Sequence, residues 1–296
     1  MMRKRQKLDE LAVSGSMTPW QEVRYAIRKD KRAMVGLTFI TLLFLIAIFA
    51  DVVAPYGMRE QNLQNVLQSP SFQHWLGTDD LGRDVLSRII FGTRTSLVIG
   101  VSSVAIALAV GGVVGLVSGY FKGIIDIVIM RFSDILLSIP SILLAIAIVA
   151  SFGSGMFNMI VAIAIGNIAI FARIIRSSVM TLTERQFIEA SHALGSSHFR
   201  ILTKHILPNV LSPIIVQSSL GIAFAILSAA GLGFIGLGLE ASVAEWGLML
   251  SSGRTYIRSQ TYLTIYPGLA IMFTILAFNM LGDGIRDAFD PKMRER

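Results

Sequence analysis

Long apolar segments, separated by shorter polar stretches, dominate the pattern of this chain. Crossing about 30 Å of hydrocarbon takes about 20 apolar residues in a helix that rises ~1.5 Å per residue. Six segments have this character, at residues 34–53, 95–118, 124–150, 157–175, 213–239 and 262–281. The pattern therefore predicts an all-α integral membrane protein with six transmembrane helices, the third of which is kinked at Pro140.

Composition agrees with this pattern, because 53% of the 296 residues are hydrophobic and only 15% are charged. Soluble globular domains carry more charge than this. The net charge of +7 sits in loops that flank the spans, so membrane topology explains it and we expect no nucleic-acid partner. Because the chain has no cysteine, disulfides and thiolate metal sites are excluded.

The distribution of Lys and Arg predicts how the spans are oriented. With a cytoplasmic amino terminus and six spans, nineteen of the 26 basic residues lie in inner segments, six lie in outer segments, and Arg131 lies within a span. Since cytoplasmic loops carry the excess of Lys and Arg, we expect both termini in the cytoplasm. The polar stretch ahead of the first span does not resemble a cleaved signal, so we expect that span to be retained.

A polar, basic segment between the fourth and fifth spans, EASHALGSSHFRILTKHILPN at residues 189–209, predicts two short helices. Gly195 suits the left-handed conformation at the end of the first helix. Pro208 is expected to end the second helix. That second helix has an apolar face formed by Phe199, Ile201, Leu202 and Ile206. The segment holds no catalytic constellation, so we interpret it as a surface that binds another protein.

This segment resembles the E-A-A-x-x-x-G loop of permease subunits of ABC importers, with Ser191 in place of the second alanine. The resemblance is to the dipeptide, oligopeptide and nickel branch of the binding-protein-dependent importers. It implies a type I ABC importer permease fold in which the loop forms a cytoplasmic coupling helix that docks on a separate ATPase. The residues expected to dock are Glu189, Ala190, Ser191, Gly195, Leu207 and Pro208.

A second motif, in the largest external loop, supports the same resemblance. This motif, at residues 77–84, resembles a motif that precedes the second span in the second permease subunit of dipeptide, oligopeptide and nickel importers. We expect Asp79 and Asp80 to cap a helix that begins near Leu81, since carboxylates accept the free amide hydrogens at a helix start. General acid–base chemistry or a hard-metal site would use the same carboxylates. The motif comprises Gly77, Thr78, Asp79, Asp80, Gly82, Arg83 and Asp84.

Three charged residues, Asp126, Arg131 and Asp134, lie within the third span. Charges in a span are costly and usually face a partner or a water-filled path. Arg131 and Asp134 are three residues apart and can share a helix face, which predicts a salt bridge between them. An interfacial arrangement near the cytoplasmic end is the first interpretation, and a substrate site is the alternative.

Small residues cluster in two of the predicted spans. Small side chains let helices approach closely in lipid, where packing replaces the hydrophobic drive between helices. Close helix packing is therefore the first interpretation, and a hinge or pore lining is the alternative. The glycines concerned are Gly111, Gly112, Gly115 and Gly119 in the second span, and Gly231, Gly233, Gly236 and Gly238 in the fifth.

The resemblance covers about residues 72–291 and implies an organisation and a set of partners. The implied partners are a homologous second permease subunit, two ATP-binding subunits, an external substrate-binding protein and membrane lipid, in the cytoplasmic (inner) membrane of a bacterium or archaeon. The expected parts are a cytoplasmic tail at 1–33, the first span and external loop at 34–94, a core permease domain at 95–291 with the coupling loop at 183–212, and a cytoplasmic tail at 292–296.

The sequence has no phosphate-loop motif, no H-E-x-x-H and no G-x-S-x-G. We therefore expect no catalytic, cofactor or metal site on this chain, with ATP and Mg²⁺ on partner subunits. The resemblance implies ATP-driven import of dipeptides or oligopeptides by alternating access, with nickel or a metal chelate as the alternative cargo. An ion-coupled secondary transporter is an alternative of another class, although the spans carry few ionisable residues and no matching interrupted helices.

Overall fold

Helices make up almost all regular structure in the computed structural model of the chain, which describes Ile27 and residues 30–289. Within these residues the sole β feature is an isolated bridge between Thr78 and Asp84. The tail expected at 292–296, and most of that expected at 1–33, lie outside the described residues.

The helices follow one another with short connections, apart from the loop between α2 and α3 and the connection between α9 and α10. The bounds are α1 (Lys31–Ile48), α2 (Ala50–Val53), α3 (Val85–Phe121), α4 (Gly123–Ser138), α5 (Ser141–Phe152), α6 (Met156–Thr183), α7 (Gln186–Ala193), α8 (His198–Arg200), a π-helical segment (Ile201–Ile206), α9 (Leu207–Phe234), α10 (Trp246–Gly253), a 3₁₀ turn (Arg254–Tyr256) and α11 (Tyr262–Phe289).

Five helices of the described chain are long and apolar enough to cross a membrane: α1, α3, α6, the continuous helix His198–Phe234, and α11. A bent pair, α4 and α5, makes the sixth if it is counted as one span. The two helices of this pair meet at 86°. The kink expected at Pro140 is thus a break, because proline lacks an amide hydrogen and forces Ile139 into an extended conformation (φ −98°, ψ 125°).

Pro208 does not end a helix, contrary to the sequence-based expectation, and the chain runs from His198 into α9 without a break. Ahead of it, the turn widens so that the Leu207 amide donates to the carbonyl of Leu202, five residues earlier. The Asn209 side chain donates to the carbonyl of His205 at 2.6 Å. The wider turn relieves the contact between the proline ring and the preceding turn that otherwise breaks a helix.

The contact of α3 with α6 forms the centre of the bundle. The two helices approach closely because three glycines of α3, each four residues from the next, face the backbone of α6. A Cβ atom would lie 2.4 Å from the Ile168 carbonyl oxygen at Gly111, and 2.5 Å from the Ala172 carbonyl oxygen at Gly115. At Gly119 the corresponding distance to the Arg176 carbonyl oxygen is 2.8 Å. Close packing, the first interpretation of these glycines, is therefore confirmed within this chain.

Glu245 caps the start of α10 from a buried position, with only 1% of the residue exposed. Its carboxylate accepts hydrogen bonds from the amides of Gly247 and Leu248, both at 2.8 Å. Burial raises the pKa of Glu245 to about 7, and the two backbone hydrogen bonds oppose that shift. The group therefore links the stability of this region to pH.

We predict that Gly115→Ala destabilises the bundle whereas Gly112→Ala does not. Overpacking costs about 1–3 kcal/mol, and a Cβ at Gly115 collides with backbone that cannot move away locally. At Gly112 the nearest atoms are side-chain methyl carbons at 3.6 Å, and alanine is favoured over glycine in a helix by about 1 kcal/mol. Thermal unfolding of both variants in the same detergent measures the difference, and equal midpoints would contradict the packing assignment.

We predict that Glu245 makes the free energy of unfolding fall as pH rises between about 4.5 and 7. In this window the folded state binds more protons at this carboxyl than the unfolded state does, so raising the pH favours unfolding; above the window the contribution is constant. The total change is on the order of 3 kcal/mol. Glu245→Gln should flatten this slope, and Glu240→Gln, at an exposed position, should leave it unchanged.

Candidate functional site

Two short helices, α7 and α8, project from the span bundle, and residues 186–200 are called here the α7–α8 segment. The first helix ends where Gly195 adopts the left-handed conformation (φ +76°) and donates to the carbonyl of His192. The Ser197 hydroxyl then caps α8 by accepting from the amide of Arg200 at 3.4 Å. The short helix ending at Gly195 is thus present as predicted.

The structure brings together only part of the predicted docking set. Glu189, Ala190 and Gly195 are exposed on the α7–α8 segment, and Ser191 beside them is half-buried. The hydroxyl of Ser191 donates to the carbonyl of Phe187 at 2.7 Å. The other two residues, Leu207 and Pro208, are half-buried where α9 begins, outside the segment.

The α7–α8 segment carries three exposed large apolar side chains, which the sequence analysis did not identify as exposed. Leu194 is 86% exposed, Phe199 is 77% exposed and Phe187 is 44% exposed. The apolar face predicted for Phe199, Ile201, Leu202 and Ile206 is divided in the structure, because Ile201 and Ile206 are fully buried whereas Phe199 is exposed. One helical face anchors the segment to the bundle while the opposite face presents apolar groups. The signal in the sequence was the mixture of apolar residues on both faces of such short helices.

The charged residues of the bent pair α4–α5 hold it to α6. Asp126 accepts two hydrogen bonds from Arg176 of α6. Asp134 forms an ion pair with Arg173 of the same helix. The predicted salt bridge between Arg131 and Asp134 is therefore wrong, since a tertiary partner takes the place of the local one. These charges link the helices α4 and α6.

The external motif builds a folded loop rather than a helix start at Leu81, which corrects the prediction. Asp84, and not Asp79 or Asp80, caps the following helix, α3, by accepting from the amide of Ser87 at 2.8 Å. A left-handed Gly82 (φ +70°) turns the chain between the two carboxylates. There the Gly82 amide donates to the Asp79 carbonyl at 3.0 Å.

The remaining contacts of the motif tie the loop between α2 and α3 to distant helices. Asp79 accepts from the Arg83 side chain at 2.6 Å, and Arg83 also donates to the carbonyl of Ala241 at 3.0 Å. The Tyr262 hydroxyl, in α11, lies 2.8 Å from the carbonyl oxygen of Thr78. A Cβ atom at Gly77, where φ is +80°, would lie 2.8 Å from the ring of Tyr262, so there is no room for a larger residue. The motif therefore fastens the loop, and its carboxylates are engaged in structure.

A groove of about 430 Å³ lies among α6, α9 and α11. Its polar groups are three neutral amides, Asn167, Gln217 and Asn279, one from each helix. Asn167 is 3% exposed and donates to the carbonyl of Ile163 at 2.8 Å. The other lining residues are Ile170, Leu220, Gly221, Ala223, Phe224, Leu227 and Ile275. Sequence reasoning followed charged residues and missed these amides, although an isolated amide in an apolar span is a visible signal.

Known relatives identify the family of this chain. Residues 111–295 match the family described as binding-protein-dependent transport system inner membrane component, and residues 18–70 match the N-terminal TM domain of oligopeptide transport permease C. The chain is 50% identical to the dipeptide transport system permease protein DppC of Alkalihalophilus pseudofirmus, and 44% identical to the glutathione transport system permease protein GsiD of Pectobacterium atrosepticum. Each alignment covers 279 residues, 94% of this chain and 92% of the relative.

A solved structure shares the fold. The MetNI methionine ABC transporter, in an inward-facing conformation, matches with a TM-score of 0.56 and 20% identity over 69% of this chain and 98% of that chain. The predicted fold, that of an ABC importer permease, is thereby confirmed. Because the family match extends over more than half of the sequence and the relatives align along nearly all of it, this chain belongs to the inner membrane components of binding-protein-dependent transport systems.

Proposed function

We propose that this chain is one of two homologous permease subunits of an ATP-driven importer, and that it forms half of the path by which dipeptides or oligopeptides cross the membrane. The groove among α6, α9 and α11 is its share of that path. Movement of the α7–α8 segment, driven by ATPase subunits, switches the path between inward-facing and outward-facing forms.

The exposed apolar surface of the α7–α8 segment carries this proposal. Leu194 and Phe199 project from the bundle with 86% and 77% of their area exposed. Large apolar side chains exposed on short helical elements indicate a protein interface. Glu189, Ala190 and Gly195 are also exposed on the same segment, which supports docking there.

The peptide cargo is supported by the relatives and by the groove. The similar proteins named above are permeases for dipeptides and for glutathione, itself a tripeptide. The groove presents the amides of Asn167, Gln217 and Asn279, and no charged side chain lines it. Neutral amides both donate and accept hydrogen bonds and so match peptide groups. Peptide cargo is preferred to nickel in this proposal because the relatives described above are permeases for a dipeptide and for glutathione.

The remaining partners follow from the same proposal. ATP and Mg²⁺ bind the two ATPase subunits, and this chain hydrolyses no ATP itself. An external binding protein delivers the cargo to the loops at the opposite end of the bundle, and lipid contacts the outer apolar faces. Both termini lie in the cytoplasm, as the excess of Lys and Arg in the inner segments supports.

We expect Gly195→Asp to weaken ATPase binding by at least about 30-fold, because a carboxylate buried without a partner in an interface costs about 2–5 kcal/mol. Gly195→Asn is the matched control, since Asn has nearly the same shape as Asp, tolerates the left-handed conformation and is neutral. The measurement is the amount of ATPase that co-purifies with the tagged chain from its native membrane, identified by mass spectrometry.

Three outcomes of the Gly195 comparison are informative. Loss of the ATPases with Asp and retention with Asn support docking at this surface. Loss with both variants assigns the effect to the turn itself, and the docking role of Gly195 would be rejected. Retention with both variants, at normal expression, would contradict the docking assignment.

We expect uptake of a labelled dipeptide to stop when ATP is depleted and to continue when an ionophore collapses ion gradients at constant ATP. The reason is that ATP hydrolysis, and not ion entry, drives the movement of the α7–α8 segment. Whole cells with the ATP concentration measured in parallel provide the test, with ⁶³Ni²⁺ as the competing cargo. Uptake that depends on the ion gradient would instead support the ion-coupled transporter.

A further inference from the structure

Three side chains with metal-binding donor atoms converge at the base of the α7–α8 segment. The Tyr120 hydroxyl, at the end of α3, lies 2.8 Å from Nδ1 of His198 and 3.3 Å from Nε2 of His192. The two imidazole rings are 5.7 Å apart between centroids. Both histidines are exposed, and Tyr120 is half-buried. Two ring nitrogens therefore aim at one phenol oxygen at a surface that solvent ions can reach.

The two distances from the Tyr120 oxygen to the ring nitrogens match those between ligands of one metal ion. Zinc–nitrogen and zinc–oxygen bonds are about 2.0–2.2 Å long. Two ligands at a tetrahedral angle then lie about 3.3 Å apart, and two at a right angle lie about 2.9 Å apart. The distances from the Tyr120 oxygen, 3.3 Å to His192 and 2.8 Å to His198, correspond to these two separations.

The chemistry of the donors selects the class of ion. Imidazole nitrogen suits Zn²⁺, Cu²⁺ and Ni²⁺ better than it suits Mg²⁺ or Ca²⁺. The described residues contain no group of three or more His, Cys, Asp and Glu side chains arranged for a metal, so the phenol of Tyr120 is what completes a set of three here. The nearby ammonium of Lys122 lies 3.8 Å from Glu184, and this pairing reduces its repulsion of a cation.

We propose that Tyr120, His192 and His198 form a binding site for a divalent transition-metal ion of the zinc and copper class. The neutral imidazoles donate their lone pairs, and the metal ion takes the place of the phenol proton, which leaves to solvent. Water completes the coordination on the exposed side. The sequence did not reveal the site, because Tyr120 is separated by 72 residues from His192.

A metal ion at this point would join three elements of the structure. Tyr120 ends the span α3, His192 lies in α7 and His198 begins α8. The ion would therefore fix both helices of the α7–α8 segment to one span. Metal binding at these atoms is independent of the transport function proposed above, whereas an effect on uptake rests on that function. If the segment must move against α3 during transport, the bound ion inhibits uptake.

The binding test titrates Zn²⁺ into the purified complex in a buffer without chelators. We expect the wild type to bind one more Zn²⁺ per chain than the double variant His192→Ala/His198→Ala. His205→Ala is the matched control, because His205 lies about two helical turns beyond His198 and is not among the hydrogen-bond and ring contacts of the three donors. Equal stoichiometry in the wild type and the double variant, or an equal loss in His205→Ala, would overturn the site.

A spectroscopic test asks whether the phenol itself is a ligand. With one equivalent of Cu²⁺, the wild type should show the phenolate-to-copper charge-transfer absorption, and Tyr120→Phe should lack it. Tyr120→Phe retains both histidines and the aromatic ring, so this comparison stands even if the double variant fails to assemble. Tyr120→His should bind Zn²⁺ more tightly than the wild type. Absorption that persists in Tyr120→Phe would remove Tyr120 from the site.

The functional test compares uptake of a labelled dipeptide in proteoliposomes loaded with Zn²⁺ and freed of excess ion, with the same vesicles after a chelator. We expect the uptake rate with Zn²⁺ bound, divided by the rate after the chelator, to lie below one in the wild type and in His205→Ala. In the double variant this ratio should stay near one. Metal binding without any change in this ratio would reject the effect on movement and leave the site in place. Absence of ATP-driven uptake in every sample would count against the proposed function, while the Zn²⁺ stoichiometry still decides the site.

Discussion

The close contact between α3 and α6 is the constraint on which the rest of the structure depends. In lipid there is little hydrophobic drive between helices, so association relies on packing and hydrogen bonds. Gly111, Gly115 and Gly119 bring α3 onto the backbone of α6. Because α6 leads directly into α7, and α3 ends beside the α7–α8 segment at Tyr120, one contact determines the position of both supports of that segment.

The same helix, α6, also organises the charged and polar groups of the spans. Arg176 and Arg173 pair with the carboxylates of Asp126 and Asp134, which fastens the bent pair α4–α5 to it. On another face, Asn167 contributes to the groove. One helix, α6, therefore contacts the bundle centre, the bent pair and the groove, and it leads into the α7–α8 segment.

Apolar length and period were sufficient to predict the class of fold and the position of most spans. They were insufficient where polar residues are satisfied by distant partners. The helix α3 begins at Val85 rather than Thr95 because Arg88 and Thr93 are buried within the protein, at 3% exposure each. Likewise Asp134 pairs with Arg173, 39 residues away, instead of its neighbour Arg131. The π-helical turn before Pro208 could not be anticipated from a rule about proline alone.

The candidate site was likewise predictable only in part, and the part that was missed bears on mechanism. Local signals found the turn at Gly195, while the exposed position of Phe199 and the meeting of three amides depend on how helices pack. Every intramembrane carboxylate named above is engaged in holding helices together, and the groove is lined by neutral amides and apolar groups. An ion-coupled carrier needs a titratable or ion-coordinating group in its path. No titratable side chain lines the groove, so its lining offers no group that a proton gradient could charge, which agrees with the proposal that ATPase subunits drive transport through the α7–α8 segment.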